Sequence, residues 1–310
     1  MKRIQYSEYG GPERMRLDSF EPAAPGDGEV EVEVQFAAIN PIDWKLRHGN
    51  LRMVTGRQFP RGMGQDFSGK VVAVGPGVTR FKTGDAVLGL ASIKGSGAFG
   101  QAVIAPGNFL ARKPDKLSFE DAACLGTPGV TAWNGLVDKA GLTAGQHVFI
   151  NGCTGAVGAM AVQLARMTGA RISGACSAGA MARASSLGVQ TVYDYRVTDL
   201  AQLKERYDVV YDTSATMATA TGVRMLAKGG VFLDIHPTPG KFFRALFDRR
   251  LKPIVCSPAA PILDGLAQAA QEGKLRLPIA RTVPLDDAIP LIKALEAGLR
   301  LDGKALIAVG

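Results

Sequence analysis

The chain has 310 residues, of which 46% are hydrophobic and 21% charged, and its formal net charge is +8. This composition is typical of a globular protein and excludes a disordered one. Its length exceeds that of most single hydrophobic cores, so two domains are predicted. No apolar run approaches the roughly 20 residues that a membrane-spanning helix needs, and no apolar segment follows the basic residues at the start. We therefore expect a cytoplasmic protein without a membrane partner.

The first 120 residues have the pattern of β-structure. Residues 29–39 alternate Glu or Gln with Val or Phe, which is typical of a half-buried strand. Residues 69–90 predict two further short strands, separated by Gly-Pro-Gly and Thr-Gly-Asp turns. Closely spaced strands and turns predict a small barrel or sandwich.

From about residue 128, strand-like runs alternate with helical ones. The predicted strands are HVFIN, RISGAC, TVYDY, DVVYD, GVFLDI and PIVC, and the predicted helices are 156–168, 179–187 and 217–228. This alternation predicts a parallel sheet covered by helices, and six strands suit a full dinucleotide-binding fold. Residues 281–310 predict a helix between two strands.

Three glycines follow the HVFIN strand at a spacing of three: Gly152, Gly155 and Gly158. The helix that starts near Ala156 has unpaired N–H groups and the positive end of its dipole aimed out of the turn. Gly155 leaves room for a pyrophosphate, and Gly158 allows close packing of the helix. The alternative is that the glycines serve only a tight turn. The six-strand context favours a dinucleotide site.

The second strand of this region ends at Cys176 and Ser177 without an acidic residue. A carboxylate there would bind a ribose 2′-hydroxyl and repel a 2′-phosphate, so its absence favours NADPH, with NADH as the alternative. Ser177 and Tyr195 are the candidate phosphate contacts. No Lys or Arg lies in the loop itself, and Arg183 lies in the following helix.

Residues 241–252, KFFRALFDRRLK, contain five basic residues and one acid. The apolar positions predict a basic amphipathic helix. We expect Phe243 and Phe247 to line an aromatic-accepting pocket or a subunit contact, with the charges in water. Nucleic-acid or membrane contact is the weaker interpretation, because a short basic stripe is a weak signal.

Several further segments follow one another in an order known from one family: AINPIDWKLRHG, RGMGQDFSGKVVAVGPGVTRFKTGDAVLG, AACLGTPGVTAWNGL, AGQHVFINGCTGAVGAMAVQLAR and GKALIAV. Over nearly its whole length the chain resembles a medium-chain dehydrogenase/reductase of the zinc-independent quinone oxidoreductase (NADPH:quinone reductase-like) branch. The resemblance implies an α/β protein with a GroES-like β-rich catalytic domain and a Rossmann domain with a doubly wound parallel sheet of six strands. We place the catalytic domain at 1–120, completed by 262–310, and the Rossmann domain at 121–261. A homodimer joined through the PIVC edge strand is also expected.

The resemblance also implies individual site residues. Zinc-dependent relatives have Cys and His ligands where this chain has Asn40 and Gln65, and a third ligand position falls at Cys124. Amides are weak zinc ligands, so no metal is expected. The remaining cofactor contacts implied by the family are Thr131, Gly152, Thr154, Gly155, Ala156, Val157, Ser177, Tyr195 and Lys304. Ala180 replaces a phosphate-binding Lys of some relatives, and Gly152 replaces the usual Ala.

Without zinc there is no Lewis acid to polarise an alcohol, so quinones and α,β-unsaturated ketones are the expected hydride acceptors. Asn40 is the candidate cofactor or oxygen contact and Asp43 the candidate that orients its loop, with Gln65 and Asp66 beside them in the substrate pocket. Water is the expected proton source. The alternatives are a catalytically silent protein that responds to NADPH or binds nucleic acid, and an enoyl reductase.

Overall fold

The computed structural model describes residues 1–310 and divides into two compact units. Met1–Thr127 and Pro258–Gly310 form one, which we call the β-rich unit, and Pro128–Ser257 form the other, the α/β unit. The two predicted domains end a few residues from these limits.

Sixteen strands and ten α-helices make up the chain. The strands are β1 (Lys2–Tyr6), β2 (Arg16–Ser19), β3 (Glu29–Ala38), β4 (Arg61–Gly62), β5 (Asp66–Val74), β6 (Ala86–Leu90), β7 (Ala102–Pro106), β8 (Leu110–Arg112), β9 (His147–Asn151), β10 (Arg171–Cys176), β11 (Thr191–Asp194), β12 (Tyr207–Asp212), β13 (Leu226–Asp234), β14 (Leu251–Pro253), β15 (Ile279–Pro284) and β16 (Lys304–Ala308). The helices are α1 (Pro41–Arg47), α2 (Arg52–Thr55), α3 (Phe119–Ala123), α4 (Gly126–Trp133), α5 (Ala156–Thr168), α6 (Met181–Leu187), α7 (Thr219–Arg224), α8 (Pro239–Phe247), α9 (Ala260–Gln271) and α10 (Ala288–Glu296). A π-helical segment follows α4 at Asn134–Lys139.

The β-rich unit is built on a seven-stranded sheet in the order β15-β16-β3-β5-β6-β8, with β7 also paired to β3. A smaller sheet has the order β2-β1-β4. The alternation predicted for β3 is confirmed, because Val30, Val32 and Val34 are buried while Glu33 is exposed. The antiparallel pairing of β16 with β3 brings the last strand of the chain beside the residues that precede α1.

The α/β unit contains the six-stranded parallel sheet in the order β11-β10-β9-β12-β13-β14. This is the 3-2-1-4-5-6 order of a doubly wound Rossmann sheet, so the predicted fold is confirmed. Its core includes Phe149, Tyr207, Val210 and Phe232. No helix of the structure has the length and apolarity needed to cross a bilayer.

Three predicted element limits in the α/β unit were wrong. The sixth strand is Leu251–Pro253 and not the PIVC segment, because its partner β13 ends at Asp234, opposite Pro253. The helix predicted at 217–228 is only Thr219–Arg224, since Leu226 already pairs with Tyr207 in the sheet. The basic helix covers Pro239–Phe247 and ends before the turn into β14.

Helix α5 has the predicted limits, with Gly155 as its N-cap and the left-handed Gly169 (φ 76°) as its C-cap. Met167, in the last turn of this helix, is 43% exposed.

Candidate dinucleotide site and buried polar cluster

The glycine turn between β9 and α5 has the geometry that a phosphate needs. Gly152 has a φ of +77°, and a Cβ there would lie 2.9 Å from the Cβ of Ser214, so glycine fits where relatives have alanine. A Cβ at Gly155 would meet only the carbonyl oxygen of Gly152, at 3.4 Å, which leaves the helix N-terminus open. A Cβ at Gly158 would lie 2.1 Å from that same oxygen. Gly158 is therefore required for packing, and Gly155 leaves space for a ligand.

The other predicted contacts of this turn lie beside it. Thr154, Ala156 and Val157 are half-buried in the turn and the first turn of α5. Because the N–H groups at a helix N-terminus point out of the helix, these residues fit the diphosphate of a dinucleotide. Thr131 lies buried in α4, and its carbonyl accepts a hydrogen bond from the Tyr211 hydroxyl at 2.8 Å.

A buried polar network, missed from the sequence, holds the neighbouring loop against the glycine turn. Asn151 ends β9 and Asp212 ends β12, and the Asn151 amide donates to the Asp212 carboxylate at 2.9 Å and to the Ser214 hydroxyl at 2.8 Å. Asp212 also accepts the backbone N–H of Met217 at 2.8 Å. The sequence feature that could have revealed this network is a polar residue at the carboxyl end of each of two buried strands. Open parallel sheets bind their ligands at this edge.

Ser177 and Tyr195 come together at the ends of β10 and β11. The backbone N–H of Tyr195 donates to the carbonyl of Cys176 at 3.2 Å, and Ser177 follows directly. The guanidinium of Arg196, which sequence reasoning missed, lies 5.8 Å from the centroid of the Tyr195 ring. Asp194 accepts the backbone N–H of Arg196 at 3.0 Å. This corner therefore offers a hydroxyl, a phenol and an arginine.

In the β-rich unit, Asn40 is the centre of a buried polar cluster at the start of α1. Its Oδ1 accepts from Lys304 Nζ at 2.7 Å, and its Nδ2 donates to Asp66 Oδ2 at 2.9 Å. Lys304 also donates to the carbonyl of Ile39 at 2.8 Å. Lys304 is thus buried beside Asn40, and its role as a cofactor contact stays a prediction.

The carboxylates of this cluster are buried and electrostatically coupled. Asp66 accepts two hydrogen bonds from Thr127, the shorter from the hydroxyl at 2.5 Å, yet burial raises its pKa above the usual range. Asp43 accepts the backbone N–H of Asn40 at 2.7 Å, which holds the start of α1. Burial, and secondarily the charge of Asp66, raises the pKa of Asp43 to about 8. Asp43 Oδ1 has no hydrogen-bond partner in the protein.

The three positions that correspond to zinc ligands hold two amides and a thiol, a set that suits zinc poorly. Both polar atoms of the Asn40 amide are engaged. The Cys124 thiol donates to the carbonyl of Glu120 at 3.3 Å, and burial raises its pKa to about 12, so it is not a thiolate. No group of three or more His, Cys, Asp or Glu residues is suited to a metal ion. Gln65 is buried, and its Nε2 has no hydrogen-bond partner in the protein.

Phe243 and Phe247 lie on α8 with their rings 5.2 Å apart, and both side chains are exposed. They contact each other rather than the wall of a cavity. Their assignment to a substrate pocket stays a prediction.

Comparison with known proteins agrees with these features along the whole chain. The alcohol dehydrogenase GroES-like domain model matches residues 26–115, and the zinc-binding dehydrogenase model matches residues 187–307. The chloroplast envelope quinone oxidoreductase homolog of Arabidopsis thaliana is 30% identical, covering 98% of this chain and 96% of its own. The quinone oxidoreductase from Coxiella burnetii is 28% identical with a TM-score of 0.91, covering 100% of this chain and 99% of that one.

A mycocerosic acid synthase-like polyketide synthase of Mycobacterium tuberculosis is also similar, with 35% identity over 75% of this chain but only 11% of that protein. The relatives that match end to end include these quinone oxidoreductases. An NAD-dependent alcohol dehydrogenase also covers 100% of both chains, with 27% identity and a TM-score of 0.83. The Rossmann sheet with its glycine turn fits a nicotinamide dinucleotide. The chain therefore belongs to the medium-chain dehydrogenase/reductase family, in its quinone oxidoreductase branch, and is an oxidoreductase with a nicotinamide cofactor.

Proposed function

We propose that the protein transfers hydride from NADPH to a quinone or an α,β-unsaturated carbonyl acceptor without a metal ion. The observation that carries this proposal is the set of groups at the three zinc positions. It consists of an engaged amide, a buried thiol that donates to a backbone carbonyl, and the amide of Gln65, whose N–H has no acceptor in the protein. Such a set offers a hydrogen-bond donor to the oxygen of the hydride acceptor. It lacks the ligands that would hold a metal ion as a Lewis acid.

The preference for NADPH is supported by the corner around Ser177, Tyr195 and Arg196. A 2′-phosphate is a dianion. An arginine beside two hydroxyl groups therefore binds a ribose that carries this phosphate better than a ribose without it. One carboxylate, Asp194, also lies at this corner, where it pairs with Cys176 and accepts the backbone N–H of Arg196. Gly155 and the N-terminus of α5 would hold the diphosphate.

When bound, the reduced nicotinamide supplies a hydride to an electrophilic carbon of the acceptor. The reduction of a quinone to a hydroquinone also takes up one proton, for which we propose water as the source. Gln65 Nε2 would donate to the oxygen that becomes negative, and burial strengthens this interaction. Asp43 and Asn40 hold the chain at the start of α1, and Asn40 remains our candidate for a cofactor or oxygen contact.

The test is a steady-state screen of an ortho-quinone and an enone with NADPH and with NADH. We expect NADPH oxidation that depends on the acceptor, with kcat/KM for NADPH at least about tenfold above that for NADH. Arg196→Gln should weaken NADPH binding about tenfold and leave NADH binding unchanged, since one charge-assisted hydrogen bond to the 2′-phosphate is lost. Arg281→Gln, an exposed arginine of the β-rich unit, is the matched control.

Gln65→Leu should lower kcat/KM for the acceptor about a hundredfold while NADPH binds as before. NADPH binding with no oxidation of any acceptor would instead favour a silent, NADPH-responsive protein.

Enoyl reduction is the second candidate activity. The similarity to a segment of a polyketide synthase favours it, because the activated alkene of an enoyl thioester accepts hydride as an enone does. An enoyl thioester included in the same screen separates the two. Turnover of the thioester well above that of the quinone would assign the protein to enoyl reduction.

We further propose a homodimer joined through β14, which is the edge strand of the six-stranded sheet. An edge strand offers unpaired N–H and C=O groups that a second copy can pair with. Light scattering coupled to size exclusion measures the mass, and a mass of 32.6 kDa at micromolar concentration would contradict the dimer.

A further inference from the structure

Helix α8 exposes a continuous apolar face. Its large apolar side chains Phe242, Phe243, Leu246 and Phe247 are 46%, 64%, 75% and 78% exposed, and only Ala245 packs against the core of the unit. Isolated exposed apolar residues are ordinary, but four on one nine-residue helix form a patch. An exposed apolar patch of this kind is typical of a surface that contacts a membrane or another molecule.

The helix is anchored, so the patch is a fixed surface. The Thr238 hydroxyl caps the helix by accepting the backbone N–H of Lys241 at 3.3 Å. Lys241 Nζ lies 2.5 Å from a carboxylate oxygen of Asp234, which is fully buried at the end of β13. These two contacts hold the first turn to the sheet while the apolar face points away from the core.

The rim of the patch is positively charged. Residues 241–252 carry five basic residues and one acid, a net charge of +4 out of +8 for the chain. Arg244, Arg249 and Arg250 are exposed, and the only acid among these residues, Asp248, lies 4.0 Å from Arg244 and 2.8 Å from Arg250. Positive charge therefore remains after these pairs have formed.

The positive charge and the apolar side chains of the patch together indicate which kind of partner it binds. A second copy docked on the apolar face of α8 would bring the exposed arginines of both copies together, because a two-fold contact apposes identical patches. The dimer proposed above uses a different surface, the free edge of β14. Single-stranded nucleic acid would use the charges and the rings but would leave Leu246 without a partner. An anionic lipid surface satisfies both features, since the apolar side chains enter the acyl boundary and the arginines meet phosphates.

We propose that α8 docks the protein on anionic lipid surfaces. The docking is peripheral and reversible, because a helix of nine residues buries few apolar side chains and none of the helices spans a bilayer. The expectation of no membrane partner came from the absence of a spanning segment, which does not bear on a surface of this kind. The proposal does not depend on the proposed reaction.

The test is co-flotation of the full chain with vesicles of phosphatidylcholine, with and without phosphatidylglycerol. We expect binding only to vesicles that contain phosphatidylglycerol, and weaker binding at high ionic strength. The double variant Phe243→Ser with Phe247→Ser should lower the vesicle partition coefficient about tenfold or more, because it removes two buried rings from the lipid. Arg244→Gln with Arg249→Gln should weaken binding to phosphatidylglycerol vesicles several-fold.

Two controls accompany these variants. Phe243→Leu with Phe247→Leu keeps an apolar face and should retain most of the binding. Met53→Ser removes a side chain that is 98% exposed on α2 of the β-rich unit and should change nothing. Because all these positions are exposed, circular dichroism and Tm should match the unsubstituted protein and so show that each variant is folded.

Three results would overturn the proposal. One is the absence of binding to either vesicle. Another is equal binding by the serine double variant. The third is binding of a single-stranded oligonucleotide that depends on the same phenylalanines while the vesicles remain unbound. None of these measurements uses turnover, so failure of the proposed reaction and failure of docking remain distinguishable.

Discussion

The glycine turn of the α/β unit and the polar cluster of the β-rich unit are built in opposite ways. The turn is made of backbone from residues 151–158, and its properties follow from which positions have no side chain. The cluster is made of side chains, and its central contact joins Asn40 to Lys304, which are 264 residues apart. A site made of backbone is fixed by sterics, whereas a site made of buried charges depends on their mutual balance.

This difference predicts two kinds of failure. A substitution in the turn should act through contact distances and be insensitive to pH. A substitution in the cluster should act through charge, and its effect should change with pH. Three variants test this contrast.

Gly158→Ala should have the largest effect. Its Cβ would lie 2.1 Å from the carbonyl oxygen of Gly152 and 2.9 Å from the Cα of Cys153, and both are backbone atoms that cannot move alone. We expect a loss of about 4 kcal/mol or more in the free energy of unfolding, as for other severe steric conflicts. Urea denaturation followed by circular dichroism measures it.

Gly155→Ala is the matched control in the same turn. Its φ is −69°, and its Cβ would meet only one atom, at 3.4 Å, so the loss of stability should stay within about 1 kcal/mol. The added methyl group faces the proposed diphosphate position, and NADPH affinity should fall about tenfold or more. Equal destabilisation by the two variants would contradict the separate roles of these glycines.

The same contrast explains what could be predicted from the sequence. The turn, the limits of α5 and the alternation of strands and helices in the α/β unit depend on local periodicity and glycine spacing, which the sequence displays directly. The β3 strand was equally clear, because alternating Val and Glu require one buried and one exposed face.

What could not be predicted depends on contacts between distant segments. The position of Lys304 beside Asn40 follows from the pairing of β16 with β3, which no local pattern reveals. The end of β14 is set by its partner β13, which ends at Asp234 opposite Pro253. The apolar pattern of α8 was visible, but its exposure was not, because periodicity alone does not say what covers a face.

Lys304→Met should have the second largest effect. It removes the ammonium that lowers the pKa values of Asp43 and Asp66, and it leaves the Asn40 Oδ1 and the Ile39 carbonyl without their donor. We expect a loss of about 3 kcal/mol in the free energy of unfolding at neutral pH, since breaking a buried charged network leaves uncompensated charge.

The loss should shrink as the pH falls, because the carboxyl groups of the cluster take up protons and a neutral carboxyl needs no cation. Lys116→Met, at an exposed lysine in a loop of the same unit, should change stability by less than about 0.5 kcal/mol. A loss that is the same at every pH would mean that Lys304 acts only through packing, against the charge-balance account of the cluster.

Asp43→Asn should have the smallest effect at acidic pH and the most specific signature, which is a dependence on pH. Burial raises the pKa of Asp43 from 3.8 to about 8, although the backbone N–H groups of Asn40 and Gln65 lower it in part. Between these two pH values the unfolded chain loses the proton while the folded chain keeps it, so this group makes folding less favourable as the pH rises. The slope is at most about 1.4 kcal/mol per pH unit, and the favourable contribution is complete only below the unfolded pKa. An asparagine does not titrate, so the stability of the unsubstituted protein relative to Asp43→Asn should fall steadily from about pH 4 to about pH 8.

The control is Asp115→Asn, at an exposed aspartate. Its free energy of unfolding should stay parallel to that of the unsubstituted protein over this range. A constant difference between the Asp43→Asn variant and the unsubstituted protein would show that Asp43 is ionised in the folded chain, and the cluster would then hold two charged carboxylates against one ammonium.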